Sequence, residues 1–157
     1  MQATFEYMKQ RFFLLFLFGM MLNNLYAQKS FSKKLIDETA AVNKLLNDQI
    51  DAWNKGDLEM YMNVSYPKSD SIMMIGRTRV VWGWDNIYKV YQKGFPDAHA
   101  MGKLSFEISY RKQLSPEYYF VVGKFIVDRT TSPLSGHFDI LLKKIEGKWY
   151  IISDHSG

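Results

Sequence analysis

The sequence predicts an α+β domain in which helices come first and an antiparallel sheet follows. In the first half, apolar residues recur at helical spacing in three segments, which glycine or proline separates. In the second half, apolar and polar residues alternate along segments that are joined by short turns. Helices segregated from a run of strands are typical of the α+β class. We expect a curved sheet with three N-terminal helices on its concave side, an arrangement that leaves a cavity.

The composition limits the possible functions. The 157 residues are 47% hydrophobic, which is normal for a globular protein and suits one domain after a short leader. The absence of cysteine excludes disulfides, thiolate zinc sites and thiol nucleophiles. The net charge is +4, but the basic residues are scattered, so we interpret them as a solvated surface and predict no nucleic-acid partner.

The N-terminus has the layout of a secretory signal peptide. Residues 12–22 carry no charge, Lys9 and Arg11 precede them, and Ala27 supplies a small residue for cleavage. This predicts a signal peptide over residues 1–27, with Met8 as an alternative translation start, and export to the bacterial periplasm or the outside. The apolar run is well short of the roughly 20 residues that a membrane-spanning helix needs. We therefore expect no stable membrane insertion once the signal peptide is removed. An uncleaved anchor or a buried helix is the alternative.

Three helices and a short strand are predicted before the main sheet. Ser32 can cap the first helix, and Gly56 ends it. Asp57 can cap a shorter second helix, and residues 71–75 form a short apolar strand. The third helix runs over residues 84–93, where aromatic and apolar residues share one face.

Four strands follow in an antiparallel meander. Residues 103–110 alternate between apolar and polar, and residues 118–127 are apolar on both faces, which indicates a strand inside the sheet. Residues 137–144 and 149–153 form the last two strands, joined by a hairpin turn at Glu146-Gly147.

Three segments in this order carry a family resemblance. They are Ala52-Trp53-Asn54-Lys55-Gly56-Asp57; Gly83-Trp84 through Tyr91 with Gly94; and Gly136-His137-Phe138 followed by Gly147-Lys148-Trp149 and Ser153-Asp154-His155-Ser156. Together they resemble the nuclear transport factor 2-like superfamily, particularly its SnoaL-like bacterial branch, over residues 42–156. The last segment is also similar to the end of the calcium/calmodulin-dependent kinase II association domain.

The resemblance implies a single, cone-shaped SnoaL-like domain over residues 28–157, of the cystatin-like roll type and dimeric through its outer sheet face. Tyr118, Tyr119 and Tyr150 are candidates for that face. No one activity is implied, because members include isomerases, cyclases, epoxide hydrolases, dehydratases, assembly domains and non-catalytic binders. In isomerase-like members a general-base Asp lies on the short strand after the second helix. Residues 72–75 contain no acid here, and Asp70 precedes them.

The candidate catalytic residues are His137, Asp139 and Asp154, on the last two strands. A two-residue loop at Glu146-Gly147 would set Asp139 opposite Asp154 with His137 on the same face, where neighbouring charges would shift each pKa. A bulged turn, the alternative, would shift the register by one and bring His155 nearer. In related enzymes the acid partner of the base lies on the strand that carries His137 and Asp139. The alternative is that the two histidines bind backbone or interface groups. The spacing matches no sharp metal motif, so no metal site is predicted.

Aromatic residues are the candidates for a pocket wall. The predicted ligand-binding residues are Trp53, Tyr61, Trp82, Trp84, Tyr88, Tyr91 and His155. A buried core stripe is the alternative for those on helices. The chain has no glycine-rich phosphate loop or nucleophile-elbow motif, and no cofactor is predicted. The sequence therefore favours an exported domain that binds a small apolar-to-amphipathic molecule, with or without cofactor-independent acid–base catalysis. A non-catalytic oligomerisation or protein-binding module is the alternative.

Overall fold

The structure is a computed structural model, and it describes residues 20–23, 25, 28, 38–129 and 132–157. The chain divides into two compact units, residues 1–38 and 39–157. In the first unit, residues 20–23, 25 and 28 are helical, and most of the predicted signal peptide lies outside the described residues, as does Ser32. Among the described residues, no helix is long and apolar enough to cross a membrane.

The second unit begins with helices and short strands. Helix α1 covers residues 39–54 of this unit, and α2 spans Leu58–Ser65. The short strands β1 (Met73–Ile75) and β2 (Val80–Trp82) follow. Helix α3 (Trp84–Gly94) and the single-turn helix α4 (Ala98–Met101) complete this half of the unit.

Four long strands make up the second half. They are β3 (Lys103–Ser115), β4 (Tyr118–Asp128), β5 (Leu134–Ile145) and β6 (Lys148–Ser156). The strand order across the single six-stranded sheet is β2-β1-β6-β5-β4-β3. All neighbours are antiparallel except β1 and β6, which are parallel. Strand β4 lies inside the sheet, as its apolar sequence predicted.

The predicted α+β class is confirmed, with two additional short elements. Strand β2 and helix α4 were not predicted, because three and four residues are too few to show a period. Asp97 caps α4 by accepting a hydrogen bond from the Ala100 N–H at 2.8 Å. Strand β3 continues five residues beyond its predicted end, and bulges interrupt its pairing with β4.

One face of the sheet packs against the helices. On α1, Val42, Leu45, Leu46 and Trp53 are buried at helical spacing, as predicted. Alternate residues of the strands meet them in one core; these are Leu104, Val121, Val127, Phe138, Ile140, Leu142 and Ile151. Burial of each such side chain stabilises the fold by roughly 1.5–3 kcal/mol. We call this the inner face of the sheet and the opposite side the outer face.

Candidate functional site

A cavity of about 530 Å³ lies between the helices and the inner face of the sheet. Its wall is mostly apolar and aromatic; the aromatic members are Trp53, Tyr61, Tyr91, Phe95, Phe106, Phe125 and Phe138. Three charged residues line the wall: Asp154, Arg79 and Lys93. A large apolar cavity with a few polar groups is the usual form of a small-molecule site.

A bulge in β6 determines which acid faces this cavity. The turn has positive φ at Glu146 (49°) and Gly147 (82°), which is the geometry of a tight two-residue hairpin. Between the pairs Leu142–Ile151 and Leu141–Ser153, strand β6 contains one extra residue, Ile152. Beyond the bulge, Asp154 lies opposite Ile140 on the inner face.

The predicted cluster of His137, Asp139 and Asp154 on one face is therefore wrong. Asp139 lies opposite His155, as the alternative with a one-residue shift predicted, although the bulge lies in β6 and not in the turn. Both residues lie on the outer face. The His155 Nδ1 and Asp139 Oδ1 atoms are 2.9 Å apart, and the side chains are 54% and 43% exposed. His137 is exposed as well, and its backbone pairs with Gly157. Of the three candidate catalytic residues, only Asp154 lines the cavity.

Asp154 is enclosed, with 6% of its surface exposed. The Tyr66 hydroxyl donates a hydrogen bond of 2.5 Å to its Oδ2 atom. Burial raises the pKa of Asp154 above its ordinary value of 3.8, and hydrogen bonds from Tyr66 and Ser156 oppose this shift. The nearby Asp139 charge raises the pKa further, while His155 lowers it. Burial therefore favours the protonated carboxyl, which can donate a proton or a hydrogen bond.

Two further tyrosines bring their hydroxyls into the same region. The Tyr61 and Tyr91 oxygens are 3.5 Å apart, and the two ring centroids are 5.5 Å apart. Burial raises the pKa of Tyr61 well above 10, and electrostatic interactions with Tyr91 and Asp154 add to the shift. The pKa of Tyr91 also rises, chiefly through burial. Both phenols therefore stay neutral at physiological pH and remain hydrogen-bond donors.

The predicted pocket aromatics divide into two groups. Trp53, Tyr61 and Tyr91 line the cavity, whereas Trp82, Trp84, Tyr88 and His155 do not. Trp82 is 55% exposed on β2. Trp84 is buried and stacks on Tyr88 with centroids 5.1 Å apart, while the Lys68 Nζ lies 4.6 Å from the Trp84 centroid. Periodicity placed these rings on one helix face, but part of that face packs away from the cavity.

Two residues of the site are absent from the sequence-based prediction: Gln49 on the cavity wall and Tyr66, the partner of Asp154. Gln49 is 2% exposed and lines the cavity, and a polar residue within the apolar stripe of α1 is a sequence signal for such a role. Tyr66 had no comparable signal, because it ends α2 and meets Asp154 from 88 positions away. Within the described part of the chain, no group of three or more His, Asp or Glu residues is arranged to hold a metal ion.

A curved sheet, helices on one face and an apolar cavity between them define a cavity-containing α+β domain. An NTF2-like protein of unknown function from Shewanella oneidensis is 36% identical, with a TM-score of 0.72, over 76% of this chain and 98% of that chain. The chain belongs to the nuclear transport factor 2-like family, as its motifs predicted, and its neighbours are consistent with the SnoaL-like branch.

Two more distant structures share the fold. A ketosteroid isomerase-like protein from Erwinia carotovora atroseptica is 20% identical, with a TM-score of 0.58, over 74% of this chain and 92% of that chain. A scytalone dehydratase-like protein from Novosphingobium aromaticivorans is 14% identical, with a TM-score of 0.62, over 80% and 86% of the two chains. At these identities the likeness shows the fold alone. No family model matches the chain, and no curated protein matches it.

Proposed function

We propose that the domain binds a small, largely apolar molecule in the cavity and catalyses proton transfer on it without a cofactor. The observation that carries this proposal is the enclosed Asp154 carboxyl on a mostly apolar cavity wall. A buried carboxyl destabilises the fold unless it is hydrogen-bonded or neutral, and a strongly perturbed acid in a cleft is a candidate catalytic group.

The cavity offers the two components that such a reaction needs. In its ionised form Asp154 removes a proton from carbon next to a carbonyl, and in its protonated form it returns the proton at another atom. The Tyr61 and Tyr91 hydroxyls stabilise the negative charge that develops on the carbonyl oxygen. Neighbours with isomerase-like and dehydratase-like names support this reaction class, since both reactions proceed through proton transfer.

The test uses a simple β,γ-unsaturated ketone, dec-4-en-2-one, whose conjugated product is followed by its ultraviolet absorbance. We expect the wild-type protein to convert it and Asp154→Asn to lower kcat/KM by roughly 10²–10⁴-fold. Asp128→Asn on β4 is the matched control, because Asp128 is exposed and lies outside the cavity wall. Equal rates for wild type and Asp154→Asn would contradict the proposal, as would an equal loss in the control.

A second proposal concerns the outer face of the sheet, through which we infer that the domain forms a homodimer. On β2, Val80 and Trp82 are 51% and 55% exposed. Partly exposed apolar side chains continue this face across the sheet; they are Met73, Ile75, Phe120, Val122, Ile126, Leu141 and Tyr150. Apolar side chains grouped on one exposed face, with polar residues such as Asp139 and His155 among them, are typical of an interface.

The dimer is tested by sedimentation of Val122→Glu, with Lys89→Glu on α3 as the control. We expect monomers only for Val122→Glu, with the cavity ligand still bound. A monomeric wild-type protein would contradict this proposal. Tyr119, predicted as a candidate for this face, is not part of it, because it is 2% exposed and its hydroxyl lies 3.0 Å from the Thr39 Oγ1.

We also propose that the protein is exported to the periplasm or the outside of a bacterium. The support is the uncharged run over residues 12–22 with Lys9 and Arg11 before it. Mass spectrometry of protein from its own host tests this, with a mature chain beginning at Gln28 as the expected result. An intact leader in the purified protein would contradict it.

A further inference from the structure

Two cationic side chains stand at the exposed part of the cavity wall. Arg79 is the last residue of the loop that joins β1 to β2. The Gly76 N–H at the start of this loop donates to the Arg79 carbonyl at 2.9 Å. Lys93 lies in the last turn of α3. Both residues are exposed, whereas Asp154 on the same wall is buried. The cations therefore lie on the exposed part of the cavity wall, which we call the mouth, and the acid lies on its buried part.

Neither cation is neutralised by the described part of the chain. The ion pairs found there are Lys44 with Asp48 and His155 with Asp139, and neither the Arg79 nor the Lys93 side chain has a hydrogen-bond partner. Exposed cations beside an apolar wall are free to pair with an anion that the wall brings close.

The mouth is kept open beside both cations. Gly76 and Gly94 line the cavity next to them. A Cβ atom on Gly94 would meet nothing within 4 Å, and one on Gly76 would meet only the Arg79 carbonyl oxygen at 3.8 Å. The absence of side chains at these two positions leaves room for a ligand group to reach Arg79 and Lys93.

We propose that the ligand is a hydrophobic carboxylic acid with an oxo or hydroxy group at its other end. Its carboxylate binds Arg79 and Lys93, its apolar body fills the cavity, and its oxo or hydroxy oxygen binds the Tyr61 and Tyr91 hydroxyls on the wall that also carries Asp154. The planar guanidinium of Arg79 suits a carboxylate, and Lys93 adds a second charge. This inference rests on the proposed function, because it names the class of molecule that the same cavity takes.

Three probes of equal chain length separate the two ends of such a ligand. Undecanoate carries the acid alone, undecan-2-one carries the carbonyl alone, and 10-oxoundecanoate carries both. Isothermal titration measures each Kd for the wild-type protein at low and high salt. We expect 10-oxoundecanoate to bind most tightly, and salt to weaken the two acids but not the ketone.

The variant Arg79→Gln/Lys93→Gln tests the cations directly. We expect it to weaken both acids by about tenfold or more, since two charge-assisted contacts are lost, and to leave the Kd of undecan-2-one unchanged. The matched control is Arg77→Gln/Lys89→Gln, which removes two exposed cations from the same two segments without touching the cavity wall. Thermal unfolding confirms that both variants are folded.

The outcomes distinguish this inference from the proposed function. If undecan-2-one binds as tightly as the acids, or the control loses as much acid binding as the test variant, the inference is overturned while the proposed function stands. If the wild-type protein binds none of the three probes, ligand binding in the cavity fails and the inference fails with it.

Discussion

The side chain of Asn54 binds both backbone groups of Leu104. Its Oδ1 accepts the Leu104 N–H at 2.7 Å, and its Nδ2 donates to the Leu104 carbonyl at 3.1 Å. Leu104 lies on β3, an edge strand, so Asn54 takes the place of a neighbouring strand at the end of α1. The ammonium of Lys103 also donates to the Asn54 carbonyl at 2.6 Å.

Replacing Asn54 by Ala should lower the free energy of unfolding by about 2 kcal/mol, because two hydrogen bonds of about 1 kcal/mol each are lost. Urea unfolding measures the change. Asn47→Ala is the control, because Asn47 is exposed on the same helix. Equal effects of the two substitutions would show that the Leu104 bonds contribute nothing to stability.

Gly56 should tolerate alanine less well than Gly147. Both have positive φ, at 76° and 82°, so each substitution carries backbone strain of about 1–2 kcal/mol. A Cβ on Gly56 would also meet the Ala98 Cβ at 2.7 Å, whereas one on Gly147 would meet nothing within 4 Å. Thermal unfolding should therefore show the larger loss for Gly56→Ala. A larger loss for Gly147→Ala would count against this steric effect.

The stability that Asp154 contributes should fall as the pH rises. Its folded-state pKa is raised above 3.8, so the folded protein holds the proton more tightly than the unfolded chain does. The contribution is fully present below the unfolded pKa and is lost as the pH rises through the folded pKa, at about 1.4 kcal/mol per pH unit between the two.

The measurement is urea unfolding of the wild-type protein and Asp154→Asn from about pH 3 to about pH 7. Asn does not titrate, so the difference between the two unfolding free energies isolates this carboxyl. With rising pH, the free energy of unfolding of the wild-type protein should fall relative to that of Asp154→Asn. A difference that stays constant or moves the other way would be incompatible with a raised pKa.

Removing the Tyr66 hydroxyl should raise the pKa of Asp154 further, since that hydrogen bond stabilises the carboxylate. In Tyr66→Phe the ascending limb of the pH profile for dec-4-en-2-one isomerisation should therefore move to higher pH. Tyr118→Phe, on the outer face, is the control. If the limb does not move in Tyr66→Phe, the Tyr66 hydroxyl does not affect the pKa of the reacting carboxyl.

The sequence predicted the elements better than it predicted the faces. Periodicity located α1 and α3, and Glu146-Gly147 located the last hairpin, because these signals are local. The bulge at Ile152 had no such signal, since Ile151 and Ile152 are both apolar and either one fits the inner face. The partnership of Tyr66 with Asp154 depends on the packing of α2 near β6, which no local pattern contains.

The position of the bulge in β6 decides whether an acid or an imidazole faces the cavity. Asp154 and His155 are neighbours, so a shift of one residue in pairing would turn the carboxyl outward and the imidazole toward the helices. A protein lineage that loses or moves one bulge can therefore exchange an enclosed acid for an enclosed base without altering either residue. A change in strand register, without any substitution at the site, can therefore give rise to a new activity.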